Sequence, residues 1–102
     1  MTPEGRVKQA VNRVVEPYIE RGYVYKFMPV QSGFGKKTLD YLLCVNGVFV
    51  AIETKAPGKK PTALQELCSR EIARAGGTVF VIDNVNGVGK LREFLESICK
   101  FT

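Results

Sequence analysis

The apolar positions follow two different rhythms, one helical and one extended, and the changes between them divide the chain. From Pro3 to Arg21, Val7, Ala10, Val11, Val14, Val15, Tyr18 and Ile19 recur at helical spacing, which predicts an amphipathic helix. Thr2 is placed to cap it, with Pro3 at the first helical position and Glu4 in the first turn, where the helix dipole favours a carboxylate. Pro17 removes the bond to the Arg13 carbonyl and predicts a kink or an early end, and Gly22 stops the helix. Tyr23 to Gln31 is aromatic and β-branched and reads as a strand, with Pro29 pushing its end to an edge or a bulge. Ser32 to Lys37 is a glycine-containing basic loop that does not match the phosphate-loop pattern.

The run from Asp40 to Lys55 reads as two short strands joined at Asn46-Gly47. Asn-Gly between apolar runs is the strongest short hairpin signal, because both residues accept the positive φ of a type I′ turn. A two-residue loop sets Val45 opposite Val48, Leu43 opposite Val50 and Tyr41 opposite Ile52. Ala56 to Pro61 is then a turn carrying Lys59 and Lys60. A second helix opens at Thr62 and runs to about Ala75, ended by Gly76-Gly77. Thr78 to Ile82 is a continuous apolar strand of the kind found in the middle of a sheet covered on both sides. After a turn at Asp83 to Gly87, Lys90 to Lys100 is a last amphipathic helix. The order is α-β-β-β-α-β-α, an α/β chain with a mixed central sheet flanked by helices.

Length and composition narrow the chemistry. A chain of 102 residues is expected to form a single domain with one modest core. No apolar run approaches a membrane span, and the opening M-T-P-E-G-R offers no secretory signal. Cys44, Cys68 and Cys99 each lie in an apolar pattern, which predicts buried, reduced thiols and a cytoplasmic setting. The absence of histidine excludes Cys/His zinc sites and histidine-based nucleophile pairs, so any metal must be held by oxygen. A net charge of +5 favours a polyanionic partner, nucleic acid first, with plain solubility as the alternative. The few aromatics are not interleaved with the basic residues, which argues against a base-stacking single-strand binder.

The hairpin register has a chemical consequence. It places Asp40 across from Glu53, their Cβ atoms about 4.5–5.5 Å apart, with Lys55 two residues on and on the same face. Opposed carboxylates repel one another, and a divalent cation such as Mg²⁺ or Mn²⁺ between them removes the repulsion. Lys55 is then within reach of a phosphate oxygen or an attacking water. The simpler alternative is a surface acid–lysine pair at a strand end.

An acid on the first helix, then D-x₁₂-E-x-K across a hairpin, then a helix with glutamine near its start, resembles the PD-(D/E)xK nucleases. The longer run I-E-T-K-A-P-G-K-K-P-T-A-L-Q, Ile52 to Gln65, is similar to the VRR-NUC group, the virus-type replication-repair nucleases. Tyr25-Lys26-Phe27 and T-V-F-V-I-D, Thr78 to Asp83, also fit, so the likeness spans Glu4 to Asp83. The group's usual Gly-x-Pro-Asp is replaced here by Lys37-Thr38-Leu39-Asp40, which changes the approach to the site but keeps the aspartate.

The resemblance implies a restriction-endonuclease-like core. It implies that Asp40 and Glu53, with the backbone carbonyl of Thr54, hold Mg²⁺ or Mn²⁺, that Lys55 is the catalytic lysine, and that Gln65 is the active-site glutamine. Glu4 is the implied acid of the first helix and a further metal ligand, with Glu16 or Glu20 as the alternatives that could reach the metal instead. Thr62-x-x-Gln65 also reads as a capping box, and the two roles of Gln65 are compatible. Asp83 reads as a turn residue. Lys36, Lys37, Lys59 and Lys60 are the candidates for phosphate contacts. The implied activity is metal-dependent hydrolysis of DNA phosphodiesters by a structure-selective endonuclease. Small stand-alone members of the group resemble Holliday-junction resolvases, so a homodimer of phage or prophage type acting on four-way junctions is the specific expectation. The alternatives are a nicking or sequence-reading endonuclease and a non-catalytic DNA-binding module on the same fold.

Overall fold

A computed structural model describes residues 1–31 and 37–100. Its elements run α1 (Pro3–Glu20), β1 (Val24–Phe27), β2 (Tyr41–Val45), β3 (Val48–Thr54), α2 (Ala63–Arg74), β4 (Thr78–Ile82), a short 3₁₀ turn (Val85–Val88) and α3 (Gly89–Ile98). The strands lie in chain order in one sheet. β1, β2 and β3 are antiparallel neighbours, and β4 returns parallel to β3 after the α2 crossover.

The hairpin has the register that its turn demands: Tyr41 pairs with Ile52, Leu43 with Val50 and Val45 with Val48. Asn46 and Gly47 sit at φ 48° and 88°, the left-handed values of the type I′ turn. Two residues per pleat then sort the side chains. Tyr41, Leu43, Val45, Val50 and Ile52 all point to the face covered by α1 and α3, where they meet Val7, Val11, Val15, Leu91 and Leu95 in the main core. The opposite face carries a small cluster of Leu39, Ala51 and Cys68 beneath α2.

Four expectations change. Pro17 neither ends nor splits the first helix, which runs on to Glu20; the Arg21 amide donates to the Pro17 carbonyl and keeps the following turn closed. The first strand is shorter than its aromatic run, because the chain leaves the ladder after Phe27. Among the described residues the Thr78–Ile82 strand pairs with β3 alone and stands at an edge of the sheet. Its apolar run has another explanation: Phe80 packs edge-on against Phe94 of α3, Ile82 joins the main core and Val79 faces α2, while Val81 is half exposed. Cys44 is exposed, while Cys68 and Cys99 are buried. Its position, one residue out of step with Leu43 and Val45, puts it on the α2 side of the sheet opposite the half-exposed Phe49, where that face stays open.

Candidate active site

The site forms where the hairpin's open end meets α1. Asp40 stands just before β2, and its backbone N–H donates to Glu53 Oε1 at 3.2 Å. In return the Thr54 backbone N–H and hydroxyl donate to Asp40 Oδ2, at 3.0 Å and 2.8 Å. The two acids are therefore locked across the strand pair, Glu53 by the backbone of Asp40 and Asp40 by Thr54, the residue next to Glu53. Lys55 closes the group from the β3 end: its Nζ lies 3.4 Å from Glu53 Oε2, and its backbone N–H donates to the Ile82 carbonyl of β4. Thus the hairpin end brings Asp40, Glu53, Thr54 and Lys55 together.

Glu53 and Thr54 are the two buried polar residues among those described. Burial pushes the Glu53 carboxyl above the ordinary carboxylate range, and the charge of Asp40 adds to it, against the opposing pull of Lys55. Asp40 is displaced the other way. Burial works against its charge too, but the Thr54 amide and hydroxyl and the Lys8 ammonium outweigh that and hold it below the usual range. The neighbouring Tyr41 phenol is pushed up to about 12 by burial and then by the Asp40 charge.

Lys8 is the residue that the sequence did not single out. From α1 its ammonium donates to Asp40 Oδ2 at 3.0 Å and to the Thr54 hydroxyl, and it lies 3.5 Å from Glu4 Oε2 one turn back. The available signal was positional. Lys8 follows Glu4 by four and precedes Asn12 by four, a polar row along the border of the apolar stripe. Asn12 belongs to the same seam: Tyr41 donates its hydroxyl to Asn12 Oδ1 at 3.1 Å and to the Lys8 carbonyl at 3.3 Å.

Glu4 is thus linked to Asp40 through Lys8. Among the described residues no three acidic or cysteine side chains gather into a ready-made metal cluster. Glu16 and Glu20 are exposed on the same helix, about 18 Å or more from Glu4 at the helical rise of 1.5 Å per residue. Gln65 forms the capping box: its Oε1 accepts from the Thr62 N–H at 2.9 Å, and Thr62 Oγ accepts from the Gln65 N–H at 3.2 Å. It also lines a groove of about 770 Å³ that it shares with Asp40, Lys37, Thr38, Leu64 and Leu67. Lys59 and Lys60 are exposed on the turn after β3, and Asp83 accepts from the Asn84 amide beyond β4. Lys36 lies outside the described residues.

The departure before Asp40 also has a structural counterpart. Gln31 donates from Nε2 to the Leu39 carbonyl at 3.0 Å and accepts the Thr38 N–H on Oε1 at 3.2 Å. One side-chain amide therefore fixes the backbone immediately ahead of Asp40.

No protein-family model matches the sequence, and no curated protein matches it. The fold does find a counterpart. A solved structure described as a VRR-NUC domain is similar over 91% of this chain and 97% of its own length, with a TM-score of 0.69 and 26% sequence identity.

Proposed function

We propose that this chain, whose fold is that of a VRR-NUC nuclease domain, is a metal-dependent endonuclease that hydrolyses DNA phosphodiesters. The observation that carries this reading is the Asp40–Glu53–Lys55 group, held at one hairpin end by reciprocal backbone hydrogen bonds. The donor set suits a hard divalent cation. It consists of oxygens alone, it includes the two carboxylates that Mg²⁺ commonly needs, and it contains a buried Glu53 whose ionised form a cation would favour against burial and the Asp40 charge. Asp40, Glu53 and the Thr54 carbonyl would hold Mg²⁺ or Mn²⁺. Bound there, the cation would stabilise the charge gathering on the phosphate and lower the pKa of the attacking water.

The chain's own groups supply the rest. Lys55 orients the water or offsets the charge that develops on a phosphate oxygen. Gln65, whose carbonyl oxygen is engaged by the Thr62 N–H, lines the groove and would offer its amide donors to the phosphate. Glu4 stands behind Lys8 as the acid of α1. Lys37, Lys59 and Lys60, together with Lys36, carry the phosphates on either side of the cut.

The substrate class follows from what the fold omits. The described elements are all used to build the sheet and its cover, with no helix-turn-helix left over to read base edges, so DNA shape is the favoured target. Symmetric cutting of two strands requires two sites, and one chain brings one, so a C₂ homodimer acting on four-way junctions completes the proposal. No helix among the described residues is long and apolar enough to cross a membrane. A cytoplasmic enzyme, in the host cytoplasm if phage-encoded, fits this activity.

The test is cleavage of a labelled four-way junction beside linear duplex with Mg²⁺, Mn²⁺ or EDTA. Paired, metal-dependent cuts in the junction alone are expected, falling by about 10²–10³-fold in Lys55→Ala, the loss typical of one transition-state donor. Cleavage of both substrates would keep the chemistry and discard junction selectivity. Binding without cleavage under any metal would leave a DNA-binding module. A strict monomer at micromolar concentration would overturn the junction-resolving dimer.

A further inference from the structure

Asp40 already has a cation against it, and that cation belongs to the protein. Lys8 Nζ makes contact with oxygens from three separate places: Asp40 Oδ2 at the hairpin end, the Thr54 hydroxyl on β3 and Glu4 Oε2 on α1. An ammonium and a divalent cation require the same surroundings, negative oxygens at short range. Asp40 Oδ2 is claimed on one side by two Thr54 donors, which no cation displaces without breaking the strand end. The Lys8 contact is different in kind. It sits at the end of a four-carbon stem whose rotation costs little, and its side chain is about one-third exposed.

The base of that stem is fixed. The Lys8 carbonyl accepts from Tyr41, and Val7 and Val11 on the same helix are buried in the main core. The helix therefore holds the Lys8 backbone in place while the ammonium is free to exchange partners. Glu4, one helical turn back and already 3.5 Å away, is placed to receive it.

We propose that Lys8 is an internal counter-ion that competes with the divalent cation for Asp40 Oδ2. It keeps the hairpin end assembled before metal arrives, and it swings toward Glu4 when metal binds. This rests on the nuclease reading above. Lys8 accordingly weakens metal affinity and sets the metal concentration at which the site fills. An ordinary structural ion pair would leave that concentration unchanged.

The experiment is titration of the full chain with Mn²⁺ in the absence of DNA, followed by calorimetry and by the electron paramagnetic resonance signal of free Mn²⁺. The proteins are wild type, Lys8→Met, Lys8→Gln, Lys8→Arg, Glu4→Gln and Asp40→Asn. Lys8→Met keeps most of the stem and removes the charge. It is expected to bind Mn²⁺ roughly tenfold more tightly, the scale of one charge-assisted hydrogen bond, and to melt lower than wild type without metal. Lys8→Gln serves in its place if the methionine variant does not fold. Lys8→Arg retains the charge and should stay within about threefold of wild type, while Glu4→Gln should bind more weakly by a similar factor, having lost the receiving partner. Unchanged or weaker Mn²⁺ binding in the folded Lys8 variant, beside clear loss in Asp40→Asn, would overturn the competition and leave the nuclease reading standing. Equal Mn²⁺ binding by wild type and Asp40→Asn would instead remove the metal site at Asp40 and the proposal with it.

Discussion

Beneath α1 and α3, the sheet residues Tyr41, Leu43, Val45, Val50 and Ile52 are at most 1% exposed, whereas on the α2 side Phe49 and Val81 keep 47% and 48% of their surface. The same strands build both faces, so the difference lies in what covers them. Two helices and the 3₁₀ turn close the first face, and a single helix seated over Ala51, the smallest apolar side chain in the hairpin, partly covers the second. That second face is where the groove runs to Asp40 and Gln65. The two faces divide the labour: one holds the fold together, and the other leaves open the groove that reaches the end of the hairpin. Glu53 marks the boundary, a buried acid in a position that apolar packing would favour on stability alone.

The largest expected effect breaks the closed face. Leu43→Ala removes a fully buried side chain between strands and helices and should cost about 3 kcal/mol, measured as a lower midpoint of urea unfolding. A loss below about 1 kcal/mol would show that this face can collapse around the gap and is less tightly built than its burial implies.

A smaller effect, of opposite sign, belongs to the boundary. Glu53 has its folded-state pKa raised by burial and by Asp40, so its contribution is fully present below the ordinary carboxylate pKa and is lost as pH rises through the raised value. Once ionised, Glu53 is a buried charge that burial and the neighbouring Asp40 both disfavour. Glu53→Gln, which cannot ionise, should melt roughly 4–8 °C higher at pH 7, about 1 kcal/mol, with the gain shrinking toward zero near pH 4. Asp40 has the opposite sign. Its lowered pKa gives stability above the ordinary carboxylate range that is lost as pH falls through the folded value, so Asp40→Asn should melt lower at pH 7. Melting curves for both variants from pH 4 to pH 8 check the pair, and a Glu53→Gln gain that does not change with pH would have a cause other than charge.

The smallest effect sharpens the open face. Leu64 is 72% exposed on α2, and Leu64→Ser should change stability by no more than about 0.5 kcal/mol. A cost above about 1 kcal/mol in the isolated chain would mean that the α2 side is covered in solution.

The sequence by itself determined the hairpin and what stands at its end. Asn46-Gly47 allows one turn, the turn allows one register, and the period of two then places Asp40 and Glu53 opposite each other with no reference to the rest of the chain. The helix caps are equally local, and the Thr62–Gln65 capping box formed as its spacing required. The tertiary structure alone decided what lies against those local units. Phe80 and Val81 are adjacent in one apolar run, yet Phe80 packs on α3 while Val81, on the other face, stays half exposed, because α2 covers that face only in part. Cys44 is outside for the same reason. Lys8 reached Asp40 across 32 residues of sequence because Tyr41 and the valines of α1 set the helix over the hairpin end. Local hydrogen bonds and pleat spacing act over a few residues and can be read from sequence. A contact between α1 and β3 depends on how two finished elements pack, and that is settled by the shape of the whole core.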